Sequence, residues 1–120
     1  MVLVDTSIWI DHLKKGNAPL EKLLLDMAVV CHPFIIGELA CGNLKNRNEI
    51  LSLLHSLPVA PILEHNEILY FIESKKLMGI RIGLIDVHLL ASAHLAQAPL
   101  WTIDKKLLSA SNALGISFTS

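Results

Sequence analysis

The sequence predicts an α/β fold, with a central parallel sheet of about five strands flanked by helices, in one domain covering residues 1–120. Three observations carry that prediction. Short apolar runs at Met1–Val4, Ala28–Cys31 and Leu100–Ile103 alternate with segments of helical periodicity. These runs are apolar on both faces, as strands are when helices cover both sides of a parallel sheet. A chain of 120 residues also has room for one core, because two independent cores would be unusually small.

The elements follow in order. Met1–Val4 ends at Asp5-Thr6-Ser7, three residues that favour helix N-caps, and a helix from about Ser7 to Lys15 closes at Gly16. A second helix covers Ala18–Met27, with Pro19 in its first turn. Ala28–Cys31 is the second strand. Pro33 opens a helix that carries Glu38 and stops near Gly42. Asn46–Leu57 is helical, with Ile50, Leu51, Leu53, Leu54 and Leu57 on one apolar stripe. Val59–Leu63 is a strand candidate weakened by Pro58 and Pro61. Glu64–Met78 is a long helix stopped by Gly79, and Leu84–Ala96 a strongly helical segment after Gly83. Leu100–Ile103 is a strand ended by Asp104, Lys105–Ala113 a helix, and Ile116–Thr119 a closing strand.

Composition narrows the function. The formal net charge is −1, from 10 Lys and Arg against 11 Asp and Glu, which excludes a nucleic-acid binder working through overall positive charge. Mean hydropathy is high, at +0.52, yet no uncharged apolar run reaches the roughly 18 residues of a membrane span. The start lacks the basic region of a signal peptide, so a cytoplasmic protein is expected. Cys31 and Cys41, with no C-x-x-C spacing, read as two buried thiols. The six histidines read as non-ligands, since His88 and His94 do not share a helix face.

The acids are the informative residues. In an open parallel sheet the functional crevice lies at the carboxyl ends of the strands. Asp5 follows the first apolar run and Asp104 the Leu100–Ile103 run. Glu38 lies on the helix after the second run, and Asp86 starts the helix leading toward Leu100. Asp5 and Asp104 also stand where N-cap residues belong, a role that needs no function. Glu38, between Ile35, Ile36 and Leu39, and Asp86, among Leu84, Ile85 and Val87, are costly to bury unless paired or bound to a cation. Carboxylates clustered in one cleft repel and need a cation or protons. Hard oxygen ligands favour Mg²⁺ or Mn²⁺, which activate water and stabilise charge at a phosphodiester.

Four segments, in order and over essentially the whole chain, resemble PIN-domain ribonucleases of the VapC toxin type. They are Met1-Val-Leu-Val-Asp5-Thr-Ser-Ile-Trp9-Ile-Asp11-His-Leu13, Pro33-Phe-Ile-Ile-Gly-Glu38-Leu-Ala-Cys-Gly42, Gly83-Leu-Ile-Asp86-Val-His-Leu-Leu-Ala91 and Leu100-Trp-Thr-Ile-Asp104-Lys-Lys-Leu107. The resemblance implies a PIN-like three-layer sandwich and a Mg²⁺-dependent endoribonuclease acting as the toxin of a toxin–antitoxin pair. It implies Asp5, Glu38, Asp86 and Asp104 as the acidic metal-binding residues. Thr6 and Thr102 match the family's hydroxyl residues, which orient a water or a carboxylate; the plain alternative for both is a strand-end hydrogen bond. Many relatives carry another Asp where this chain has Lys106, which puts a second metal in doubt. Arg81, between Gly79 and Gly83, is a candidate for RNA phosphate or an acidic partner group, against a solvated loop arginine. Trp9 reads as core rather than as a stacking platform.

Two other functions compete. A phosphorelay receiver shares the size and an early Asp, but Ile50–Leu63 holds no acid to accept phosphate. A non-catalytic PIN-like binding module would use the acids only as caps. The partners expected are RNA, a cognate antitoxin and a second copy of the chain, because the high apolar content exceeds what a monomer of this size buries. With four of the 11 acids assigned to a metal cleft, 7 remain against 10 Lys and Arg, so the rest of the surface is mildly basic.

Overall fold

The computed structural model describes residues 1–119. Its elements are β1 (Val2–Val4), α1 (Thr6–Lys15), α2 (Ala18–Leu25), β2 (Val29–Val30), α3 (Pro33–Ala40), α4 (Arg47–Ser56), α5 (His65–Lys75), α6 (Leu84–Ala96), β3 (Leu100–Trp101) and α7 (Lys105–Ala113). The sheet has three parallel strands in the order β2-β1-β3. This corrects the expectation of about five. The two missing strands survive as single parallel bridges, Val59 beside Cys31 and Ser117 beside Leu100.

The reason lies in the backbone donors. Cys31 N–H bonds to Pro58 C=O, and Ala60 N–H to Cys31 C=O, both at 2.8 Å. Neither Pro58 nor Pro61 has an N–H to extend the ladder in either direction. At the other edge, Leu100 N–H reaches Ile116 C=O at 2.7 Å and Phe118 N–H reaches Leu100 C=O at 2.9 Å. β3 itself ends at Trp101, and there is no second pair to form.

β1 sits between two partners, so Val2, Leu3 and Val4 are all buried. Around it the chain changes direction. It runs outward from β1 through β2 to Val59, then crosses to β3 on the opposite side. That reversal is a topological switch point, with the crevice expected beyond the carboxyl ends of β1 and β3. Register does the rest. Val4 pairs with Trp101, and Asp5 N–H bonds to Trp101 C=O at 2.9 Å, so Asp5 and Thr102 leave the sheet side by side.

The helices deliver the remaining acids. α1 packs on α3, α3 on α4, and α5 on α6. α6 is buried continuously from Val87 to Ala93, which accounts for its apolar composition without a membrane. Among the described residues no helix is long and apolar enough to cross a membrane. Trp9 is fully enclosed, as expected of a core residue. Cys31 is buried but Cys41, the C-cap of α3, is exposed, so the expectation of two buried thiols holds only for the first. α5 stops earlier than its pattern suggested, because Lys76 rather than Gly79 adopts the left-handed cap (φ 55°).

Candidate active site

Asp5 is the buried pole of the site. It is the N-cap of α1, and the residue is only 6% exposed. Three donors converge on one of its oxygens, Oδ2: Thr102 Oγ1–H at 2.8 Å, Ser7 Oγ–H at 2.8 Å and Ser7 N–H at 3.4 Å. Thr102 Oγ1 in turn accepts Asp104 N–H at 3.0 Å, and Ser7 Oγ accepts Ile103 N–H at 3.2 Å. The turn after β3 is thus tied to the end of β1 through two hydroxyls.

Asp104 caps α7 by accepting Leu107 N–H on Oδ1 at 3.0 Å. Glu38, exposed on α3, accepts Thr6 Oγ1–H on Oε1 at 2.7 Å, which links the first turn of α1 to α3. Both threonines named from the sequence therefore donate to carboxylates, Thr6 to Glu38 and Thr102 to Asp5.

Asp86 is half-buried in the first turn of α6. Burial raises its carboxyl pKa to about 6, and the negative charges of Asp5, Asp104 and Glu38 push the same way; the Gly83 backbone amide offsets this in part. Asp86 thus lies within electrostatic reach of the other three acids. The four do not close on a point: among the described residues no three of His, Cys, Asp and Glu stand close enough to hold one ion. The donor set nevertheless fits a hard divalent cation, being all carboxylate oxygen with negative charge in excess. Asp5 Oδ1, Glu38 Oε2 and Asp104 Oδ2 receive none of the hydrogen bonds described above.

Arg81 is exposed in the 76–83 connection with left-handed φ (63°), and the structure does not bring it into this bonded network. A separate cleft of about 760 Å³ lies between α1 and the α3–α4 loop, with Ile10, Leu13, Leu44 and Ile50 in its walls and none of the four acids.

Sequence reasoning missed two features. In the sequence Ser7 reads as a residue that favours a helix N-cap, whereas its hydroxyl joins the end of β1 to the turn after β3. His32 and His88 meet, with ring centroids 6.5 Å apart and Phe34 edge-on to His88 at 4.7 Å. His32 caps α3 by accepting Phe34 N–H on Nδ1 at 3.0 Å. Its Nε2 and the Nδ1 of His88 are buried with no partner among the described residues. Desolvation, and then the charge of His88, lower the pKa of His32 to about 4; desolvation and then His65 lower that of His88. No local pattern points to this pair, since the contact joins the start of α3 to α6.

The comparisons agree with the geometry. The PIN domain family matches residues 2–112. Ribonuclease VapC32 of Mycobacterium tuberculosis, in each of two strains, is 42% identical over 118 residues, spanning 98% of this chain and 95% of the relative. Among solved structures, FitAcB from Neisseria gonorrhoeae superposes with a TM-score of 0.65 at 23% identity, over 93% of this chain and 94% of that one. PAE2754 from Pyrobaculum aerophilum gives 0.63 at 17% identity, over 93% and 80%. These two show the shared fold; the family match and the 42% relative show descent. The chain belongs to the PIN-domain family, in its VapC-type branch.

Proposed function

We propose that this chain is a Mg²⁺-dependent endoribonuclease, Mn²⁺ substituting, that acts in the cytoplasm as the toxin of a toxin–antitoxin pair and is neutralised by its antitoxin. One observation supports this above the others: burial, and then the charges of three further acids, push the Asp86 carboxyl up to about 6. Such an arrangement is costly for a scaffold and useful for a cation site.

Asp5, Glu38, Asp86 and Asp104 would hold the ion, which supplies an activated water and charge stabilisation at the phosphodiester. The chain's own residues supply orientation. Thr102 and Ser7 fix the Asp5 carboxylate, and Thr6 fixes that of Glu38. In the reaction water oxygen bonds to phosphorus in line with the departing 3′ oxygen. The P–O3′ bond breaks, and the 3′ oxygen takes a proton, leaving a 5′-phosphate and a 3′-hydroxyl. Lys105 and Lys106, in the first turn of α7 after Asp104, would offer point charges to flanking phosphates, and Arg81 on its exposed connection a fork.

End-mapping of cellular RNA after expressing wild type and Asp5→Asn tests the reading. New 5′-phosphate ends are expected with wild type alone; identical ends in both overturn it. The competing binding-module reading draws on the Asp5 and Asp104 carboxylates, which do cap α1 and α7. Melting with and without Mn²⁺ separates the two. Ligand at a hundred times its Kd stabilises a site by about 2.7 kcal/mol, and a module whose acids are only caps shows no shift. For partners, we propose the antitoxin and a second copy of this chain on the exposed apolar residues, including Leu25, Met27, Ile62 and Tyr70. Gel filtration with and without the neighbouring gene product tests both.

A further inference from the structure

The hydrogen bonds at Asp5 are one-sided: every donor described there lands on Oδ2. Proton counting shows how fixed this is. A hydroxyl has one proton to give. Ser7 Oγ receives Ile103 N–H at 3.2 Å, and Thr102 Oγ1 receives Asp104 N–H at 3.0 Å. The shortest outgoing bond from each hydroxyl, 2.8 Å in both cases, runs to Asp5 Oδ2. The 3.2 Å separation between the two hydroxyls is then a contact with no proton left to share. Two parallel paths therefore run from the backbone amides after β3, through a hydroxyl each, to a single carboxylate oxygen.

We infer that Ser7 is a positioning residue for metal binding: with Thr102 it pins Asp5 Oδ2 and presents Oδ1 as the one oxygen free to ligate. The inference rests on the cation site proposed above and adds to it how the carboxylate is held. Thr102 comes from the turn after β3 and Ser7 from α1, so donors from two separate elements hold Oδ2 and oppose its turning to chelate alongside Oδ1. Ser7 also donates its backbone N–H at 3.4 Å, from the first turn of the helix that Asp5 caps, so its side chain is fixed relative to the carboxylate it serves. Groups that orient a metal ligand without touching the metal typically change affinity by about 10–100-fold.

The test uses the full chain, free of RNA, titrated with Mn²⁺ by calorimetry, alongside melting in EDTA. Ser7→Ala is expected to melt within a few degrees of wild type and to bind Mn²⁺ about tenfold more weakly. In cleavage assays its half-saturating Mn²⁺ moves up by a similar factor. Ser7→Thr, which keeps the hydroxyl, restores the affinity. Should Ser7→Ala not fold, Ser7→Cys decides, since it keeps the volume and donates only weakly. Wild-type affinity in the hydroxyl-free variant, with Asp5→Asn losing Mn²⁺, overturns the role of Ser7 and leaves the cation site standing. Undiminished Mn²⁺ binding in Asp5→Asn overturns both.

Discussion

Asp5 and Asp86 lie within electrostatic reach of each other and are held in opposite ways. Asp5 is enclosed at the switch point, and neutral donors from α1 and the end of β3 satisfy one of its oxygens. Asp86 is half-buried at the start of α6, and what it feels most, after burial, is the charge of Asp5, Asp104 and Glu38. The first carboxylate is part of the architecture, because removing it strands a buried hydroxyl. The second is a liability to the metal-free fold. A site that keeps both trades stability for charge, and under the proposed function that excess charge is what would draw a divalent cation.

That contrast breaks first in catalysis, where the two should behave alike. Asp5→Asn and Asp86→Asn are each expected to slow RNA cleavage by at least about a hundredfold, in keeping with the loss of a charge-stabilising group. Initial rates on a defined RNA at equal folded concentration check this. A variant that cuts at the wild-type rate removes that residue from the reaction.

Stability should separate them. In EDTA at pH 7, Asp5→Ala is expected to cost about 2–3 kcal/mol, because it deletes an N-cap and leaves the buried Thr102 hydroxyl without its acceptor. Asp86→Asn is expected to gain about 1 kcal/mol. Moving a carboxyl from 3.8 to about 6 corresponds to at most about 3 kcal/mol, and solvent at a half-buried group screens most of it. Urea midpoints read both. Destabilisation by Asp86→Asn would show that Asp86 is a structural cap like its counterpart.

The same contrast has a pH signature. Asp86 binds its proton more tightly in the native state than in the unfolded chain. Between about 4 and 6 its contribution to stability therefore falls as pH rises, and the loss is complete above 6. His32 works the other way. Its pKa is lowered from 6.5 to about 4, so the unfolded chain takes the proton first, and stability is lost as pH falls from about 6.5 toward 4. The two slopes oppose each other over nearly one window. In EDTA, Asp86→Asn is expected to make stability rise more steeply with pH between 4 and 6.5 than in wild type. His32→Asn, which keeps a capping acceptor for Phe34 N–H, is expected to tilt the profile the other way.

The acids were legible from sequence because each falls at a chain position with local meaning: the end of an apolar run, or the first turns of the helix beside one. What the sequence could not show depends on partners far away in the chain. Ser7 has a sufficient local explanation as part of a cap, and its bond to the turn after β3 spans 96 residues. His32 and His88 meet only after α3 and α6 are packed. The expected edge strands at Val59 and Ser117 failed for a different reason. An apolar run signals burial, whereas a ladder needs N–H donors and a long enough neighbour. Pro58 and Pro61 remove the first, and a two-residue β3 removes the second. The four segments carrying the PIN resemblance survive such errors, since they depend on where β1 and β3 end rather than on how many strands lie outside them.

The smallest effect sharpens the contrast at the level of single hydroxyls. Thr6 and Thr102 both donate to an acid, at 2.7 and 2.8 Å, but Thr102 is buried and its acceptor enclosed, whereas Thr6 and Glu38 lie toward solvent. Water replaces a lost bond in the second setting and cannot in the first. Thr102→Val is therefore expected to cost about 1–3 kcal/mol, and Thr6→Val no more than about 0.5 kcal/mol. Their effects on Mn²⁺ affinity should be closer than their effects on stability, because each frees one carboxylate of the proposed cation site to rotate. Equal stability costs for the two valines would mean that the Asp5 pole is as wet as the Glu38 edge, and that its three donors do not hold it against water.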